Sequence, residues 1–161
     1  MQLLVVLLRY IASWCLAADI KRRKDCWLWN GVDRVPNDVE HVIIAPGVTT
    51  IGESAFENCT SLISIYISDD VTTIGDRAFA GSISLANLHI PDGVKSIGWC
   101  AFADCEALTG VHISGSDTEI GTLAFYCCGS LTTMDIPDGV TMIGEGAFLG
   151  CWSLTSAHLR Q

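Results

Sequence analysis

Basic residues are scarce in this chain, which sets 9 Lys or Arg against 18 Asp or Glu over 161 residues, for a net charge of −9. Five of those nine fall within residues 1–24 beside a single Asp19, net +4, so the remainder holds 4 basic and 17 acidic residues, net −13. A body of that sign repels a polyphosphate backbone, which argues against nucleic acid as a partner. Catalytic signatures are missing too. There is no Gly-rich phosphate loop, and no Ser or Cys stands with a base partner that can be read from sequence. The cysteines lack the paired short spacings of zinc ligands, so no metal, no cofactor and no catalytic residue is expected.

What the chain has in abundance is repetition. The hexapeptide Ile-Gly-x-x-Ala-Phe occurs at Ile51–Phe56, Ile74–Phe79, Ile97–Phe102, Ile120–Phe125 and Ile143–Phe148, with a period of 23 residues. A fixed period of this size is the mark of a solenoid. Each copy is followed by a leucine, Leu62, Leu85, Leu108, Leu131 or Leu154, and then by an alternating triplet such as Ile65-Tyr66-Ile67 or Val111-His112-Ile113. Alternation is the rhythm of a strand, so Ile65 and Ile67 are expected to point inward and Tyr66 outward, with Leu62 entering just before the strand. Turns written Ala45-Pro46-Gly47, Pro91-Asp92-Gly93 and Pro137-Asp138-Gly139 reverse the chain, where Gly can take positive φ. A second short extended piece, Val94-Lys95-Ser96-Ile97 for example, follows, and a short helical turn through Ala-Phe is expected to close the coil. The phenylalanines then form a stacked core ladder. A single coil orders too many residues for the apolar area it buries, so stability must come from neighbouring coils.

Four of the eight cysteines, Cys59, Cys105, Cys128 and Cys151, occupy one repeat position, with Ser82 in the remaining rung. A small buried side chain donating a weak hydrogen bond to a loop backbone explains that position. Cys100 and Cys127 lie off this register and are the cysteines expected to be exposed and open to redox chemistry.

The outward strand position reads Ile43, Tyr66, His89, His112, Asp135 and His158 in successive coils. Adjacent strands lie about 4.8 Å apart, which sets His89 beside His112 with Asp135 beyond and His158 one coil further. Such a row either keeps one face wet as a polar ladder or binds a transition metal and changes charge near the ordinary imidazole range. With Ser64, Asn87, Thr133 and Ser156 flanking it, the row is the expected binding face.

The unit x-x-Ile-Gly-x-x-Ala-Phe-x-x-Cys-x-x-Leu-x-x-Ile-x-Ile-Pro, carried with allowances from Lys95 to Pro137, resembles the BspA-like class of leucine-rich repeats over about three quarters of the chain. The resemblance implies a right-handed curved solenoid with a parallel β-sheet of short strands on the concave face and helical turns on the convex side. It also implies a non-catalytic role in binding proteins or cell surfaces through the concave face. A cell-surface or extracellular location follows from the same resemblance, with the cytoplasm as the alternative.

Residues 38–161 form the repeat array, and residues 25–37, with Cys26-Trp27-Leu28-Trp29, read as a degenerate N-terminal cap. Residues 1–24 combine an apolar segment interrupted by Arg9 with the basic cluster Lys21-Arg22-Arg23-Lys24. They read equally as a secretory signal, a short membrane anchor or a capping helix, and they are the only part of the chain suited to membrane contact. At the other end the sequence stops just after a strand without a polar cap. This favours either a fragment of a longer protein or an edge that meets another surface, so end-to-end self-association as a structural scaffold is the rival function.

Overall fold

The computed structural model describes residues 26–33, 35–115 and 117–159, so the expectations for residues 1–24 lie outside the described residues. Among the described residues no helix is long and apolar enough to cross a membrane. The described residues hold twelve short strands: β1 (Trp27–Trp29), β2 (His41–Ile44), β3 (Thr50–Ile51), β4 (Ser64–Tyr66), β5 (Thr73–Ile74), β6 (Asn87–Ile90), β7 (Ser96–Ile97), β8 (Gly110–Ile113), β9 (Thr118–Ile120), β10 (Thr133–Ile136), β11 (Val140–Ile143) and β12 (Ser156–Leu159). All pairing is parallel, and apart from β1 with β2 and a shift between Val140 and Met142 it is in register by one repeat, giving a β-solenoid.

One wall of the solenoid is the sheet β3-β5-β7-β9-β11, in which Ile51, Ile74, Ile97 and Ile120 pair in sequence and are buried. The other wall is divided into β1-β2-β4 and β6-β8-β10-β12. Proline alone does not place that division, because Pro137 occupies the same repeat position as Pro91 and β8 and β10 still pair. Ser114 donates its N–H to the carbonyl of Ile90 at 3.0 Å. Pro91, one repeat earlier, has no N–H to offer. The coils still touch across the gap, where Ala86 N–H reaches the Ile63 carbonyl at 3.2 Å.

Between the walls the rings of Phe56, Phe79, Phe102, Phe125 and Phe148 stack with centroids 4.9, 5.0, 5.2 and 5.6 Å apart. Trp29 meets Phe56 edge-on at 5.0 Å and so closes the ladder at its N-terminal end. Its indole N–H donates to the Asp33 carbonyl at 2.8 Å, which satisfies the one polar atom it carries into the core.

The expected helical turn is not there: among the described residues there is no helix. Hydrogen bonding explains the difference. Ala55 and Glu57 bond locally to Gly52 and Ser54, but Ser54, Phe56 and Asn58 donate to Asp76, Ala78 and Ala80 of the next coil. A helix needs consecutive N–H groups to point back along its own axis. Here every second one leaves the coil, and Ser54 and Asn58 adopt φ of 54° and 56° to turn it outward.

The turn glycines also differ from expectation. Gly47 has φ of 83°, but Gly93 is not left-handed. A Cβ on Gly93 would come within 2.3 Å of the Asp69 carbonyl oxygen, so close approach of the preceding coil is what demands glycine there.

Candidate functional site

Strand alternation turns Leu88 and Ile90, Val111 and Ile113, and Met134 and Ile136 into the core and leaves His89, His112 and Asp135 on the outer surface. Register then aligns them: His89 pairs with His112, His112 with Asp135, and Asp135 with His158. The His89 and His112 rings stack with centroids 5.3 Å apart and planes 12° from parallel. His112 Nδ1 lies 3.2 Å from Asp135 Oδ2. An ionised carboxylate only accepts, so this nitrogen carries the proton. Loss of water around its stacked face, and then the neighbouring His112 charge, hold the His89 imidazole below its ordinary range, while Asp69 and Asp92 oppose that shift.

Where the row meets the next turn, His112, Ile113, Ser114, Asp135, Ile136 and Pro137 line a shallow depression of about 190 Å³. Its walls mix an imidazole–carboxylate pair with the edges of two core strands. Among the described residues no group of three or more His, Cys, Asp or Glu is disposed to hold a metal ion.

Other expected members sit apart from this centre. Tyr66 is half-buried on β4, in register with Ile43 and across the sheet division from His89. Ile43, at the head of the outward column, is buried. Ser64, Asn87 and Thr133 are exposed in the flanking row, and Ser156 joins it by backbone register with Thr133. The histidine that sequence reading passed over is His41. It opens this flanking row, and its Nδ1 lies 2.8 Å from Ser64 Oγ. Stepping back one repeat from Ser64 finds it. A third row, Thr109, Thr132 and Thr155, is exposed but spends its hydroxyls on the carbonyls of Ala86, Thr109 and Thr132.

The cysteine rung faces inward. Cys105, Cys128 and Cys151 thiols donate to the carbonyls of Phe79, Phe102 and Phe125 at 3.4, 3.2 and 3.1 Å. Ser82 makes the same bond to Phe56 at 3.0 Å. Cys59 is buried as well, and burial pushes its thiol pKa up. Cys100 and Cys127 are half-buried, each at positive φ, and burial also raises Cys100.

A family model described as "BspA type Leucine rich repeat region (6 copies)" matches residues 37–161. No curated protein matches the chain. Among solved structures, a leucine rich cell surface protein from Faecalibacterium prausnitzii is similar at 29% identity and a TM-score of 0.75, over 80% of this chain and 34% of that one. The chain thus spans about a third of the length of that relative. A Treponema pallidum leucine rich repeat protein is similar at 23% identity and a TM-score of 0.61, covering 83% of this chain and 80% of its own. A leucine-rich repeat protein from Eubacterium ventriosum is similar at 23% identity and a TM-score of 0.63, over 86% of this chain and 38% of that one.

Proposed function

The chain belongs to the BspA-type leucine-rich repeat family, and on that premise we propose that it binds a protein or cell-surface ligand through the face carrying His89, His112 and Asp135. Leucine-rich repeat proteins generally bind other proteins, and their solenoid is a scaffold type without enzymatic activity of its own. The observation that carries the reading is the row itself: stacked imidazoles, a carboxylate one strand further on, and a depression at its end, all on an outer surface that the fold does not use. Polar side chains fixed on a parallel sheet lose little freedom when a partner docks, which favours affinity. A cell-surface location is part of the proposal and rests on the likeness to the Faecalibacterium prausnitzii cell surface protein.

The test has two readouts. Protease added to intact cells that express a C-terminally tagged chain is expected to remove the tag; protection until lysis would end the cell-surface reading. Purified chain is then screened against immobilised extracellular proteins, with H89A/H112A and, on the opposite wall, T50A/T73A. Loss of any detected binding only in the histidine double variant supports the face. Equal binding by both variants would exclude it.

A further inference from the structure

The chain has four asparagines, Asn30, Asn37, Asn58 and Asn87, and only Asn58 is followed two residues on by Ser or Thr. Asn58-Cys59-Thr60 is thus an Asn-x-Thr acceptor motif, with Cys and not the forbidden Pro in the middle. The repeat does not call for it. At the same two repeat positions the following coils carry Gly81 and Ile83, Asp104 and Glu106, Cys127 and Gly129, and Gly150 and Trp152. A left-handed φ of 56° suits an asparagine at position 58, but the fold takes nothing from Thr60 beyond its backbone.

Asn58 and Thr60 are both exposed, with buried Cys59 between them, in the turn that joins β3 to β4. Backbone bonds fix that turn: Asn58 donates to the Ala80 carbonyl at 2.8 Å, Thr60 to the Asn58 carbonyl at 2.9 Å and Leu62 to the Cys59 carbonyl at 3.0 Å. The two side chains stay out of the network. Among the described residues neither the Asn58 amide nor the Thr60 hydroxyl holds a hydrogen bond, whereas Asn30 caps the Val32 and Asp33 amides and Asn87 takes the Thr109 hydroxyl. The next coil leaves room as well. A Cβ on Gly81 would come within 2.4 Å of Asn58 Oδ1, so the neighbour beside the amide is the residue type that has no side chain.

We propose that Asn58 is an N-glycosylation site, which takes an oligosaccharide from a lipid-linked donor in a secretory compartment. The inference rests on the cell-surface part of the function proposed above. Asn58 Nδ2 bonds to C1 of the first sugar as the C1–O bond to the carrier's diphosphate breaks; the lipid diphosphate leaves, and the amide gives up one proton to a base of the transferase. No electrons change hands. The Thr60 hydroxyl, unspent on the fold, is the group that marks this asparagine off from the other three. Because Asn58 sits in a turn and on no strand of either wall, the glycan leaves the row of His89, His112 and Asp135 open.

To test this, the full chain is expressed in cultured animal cells with a reference Asn-Gly-Thr acceptor appended after Gln161, and its glycans are counted by mass before and after peptide N-glycosidase. Two glycans are expected, and the peptide holding residue 58 should show the Asn-to-Asp mass change on release. N58Q and T60A should each lose one glycan, and T60S should keep both, so that a folding defect in one variant cannot imitate the result. A glycan on the appended acceptor alone would overturn the proposal while leaving entry into the compartment intact. No glycan on either acceptor would overturn it together with the cell-surface reading. H89A/H112A should carry the same two glycans, since the site does not depend on the histidine face.

Discussion

At the residue scale the repeat is held by side chains whose value depends on the coil next door. The hexapeptide glycine reads from sequence as the end of a strand, yet a Cβ on Gly121 would come within 2.6 Å of the Ile97 carbonyl oxygen, backbone that cannot yield cheaply. Gly52, in the first full hexapeptide, has open space where that Cβ would go, because the coil before it is degenerate. Neither has positive φ, so the contrast is purely steric. Gly121→Ala should therefore lower unfolding free energy by about 1–3 kcal/mol, and Gly52→Ala should stay within about 0.5 kcal/mol of the unmodified chain, in urea titrations. The cysteine rung was legible as buried thiols because one small residue type recurs at one position; its chemistry needed the neighbours. Burial pushes Cys105 up to about 12, the neighbouring Cys151 thiol and then burial raise Cys128, and the Cys128 thiol lowers half-buried Cys151. Brief iodoacetamide treatment of the folded chain near neutral pH, read by peptide mass spectrometry, should alkylate Cys151 before Cys105 or Cys128.

At the scale of elements, the strands were readable and the turns were not. Alternation in Leu88-His89-Ile90 and Val111-His112-Ile113 announces strands, and the fixed period sets their register, so the pairing of His89 with His112 followed directly. The Ala-Phe turn was misread because its hydrogen bonds run between coils, a feature no local window contains. The sheet division beside Tyr66 was equally invisible, since β4 stops at Tyr66 whereas β6 and β8 run one residue further, to Ile90 and Ile113, under the same alternating pattern. His41 escaped for a simpler reason: it precedes the first hexapeptide and belongs to the flanking row rather than to the outward one. The paired strands also set the His112 charge against His89. His89 is held low by desolvation and by His112, with Asp69 and Asp92 facing it and Asp135 beside His112. In the unfolded chain an imidazole takes its proton near pH ~6.5, while folded His89 takes it only at lower pH. The unfolded state thus binds more protons in that window, and stability falls as pH drops through it. His112→Gln should shift the His89 titration, followed by NMR, back towards the ordinary range and flatten that part of the stability profile. An unchanged His89 titration would mean that desolvation acts alone.

At the scale of the whole molecule, the parallel coils form a one-dimensional array whose strength varies along its axis. Each inner coil buries its phenylalanine between two others, whereas Phe148 stacks on Phe125 alone and is only partly covered, and Ile143 beside it is open. In an array whose stability is a sum of coil and interface contributions, a substitution in the middle weakens two interfaces and one at the end weakens one. Phe102→Ala should thus lower stability by about 3–5 kcal/mol, a fully buried aromatic loss. Phe148→Ala should lower it by roughly half of that range, since a single interface is weakened. The N-terminal end is protected differently, by Trp29 packed edge-on against Phe56 with its indole satisfied. Opening should consequently begin at the C-terminal coil and move inward, so that hydrogen exchange is fastest at Gly150, slower at Cys127 and slowest at Gly81 and Asp104, residues that share one repeat position and differ in depth along the stack. Uniform exchange at these four amides would mean that the solenoid opens as one cooperative unit.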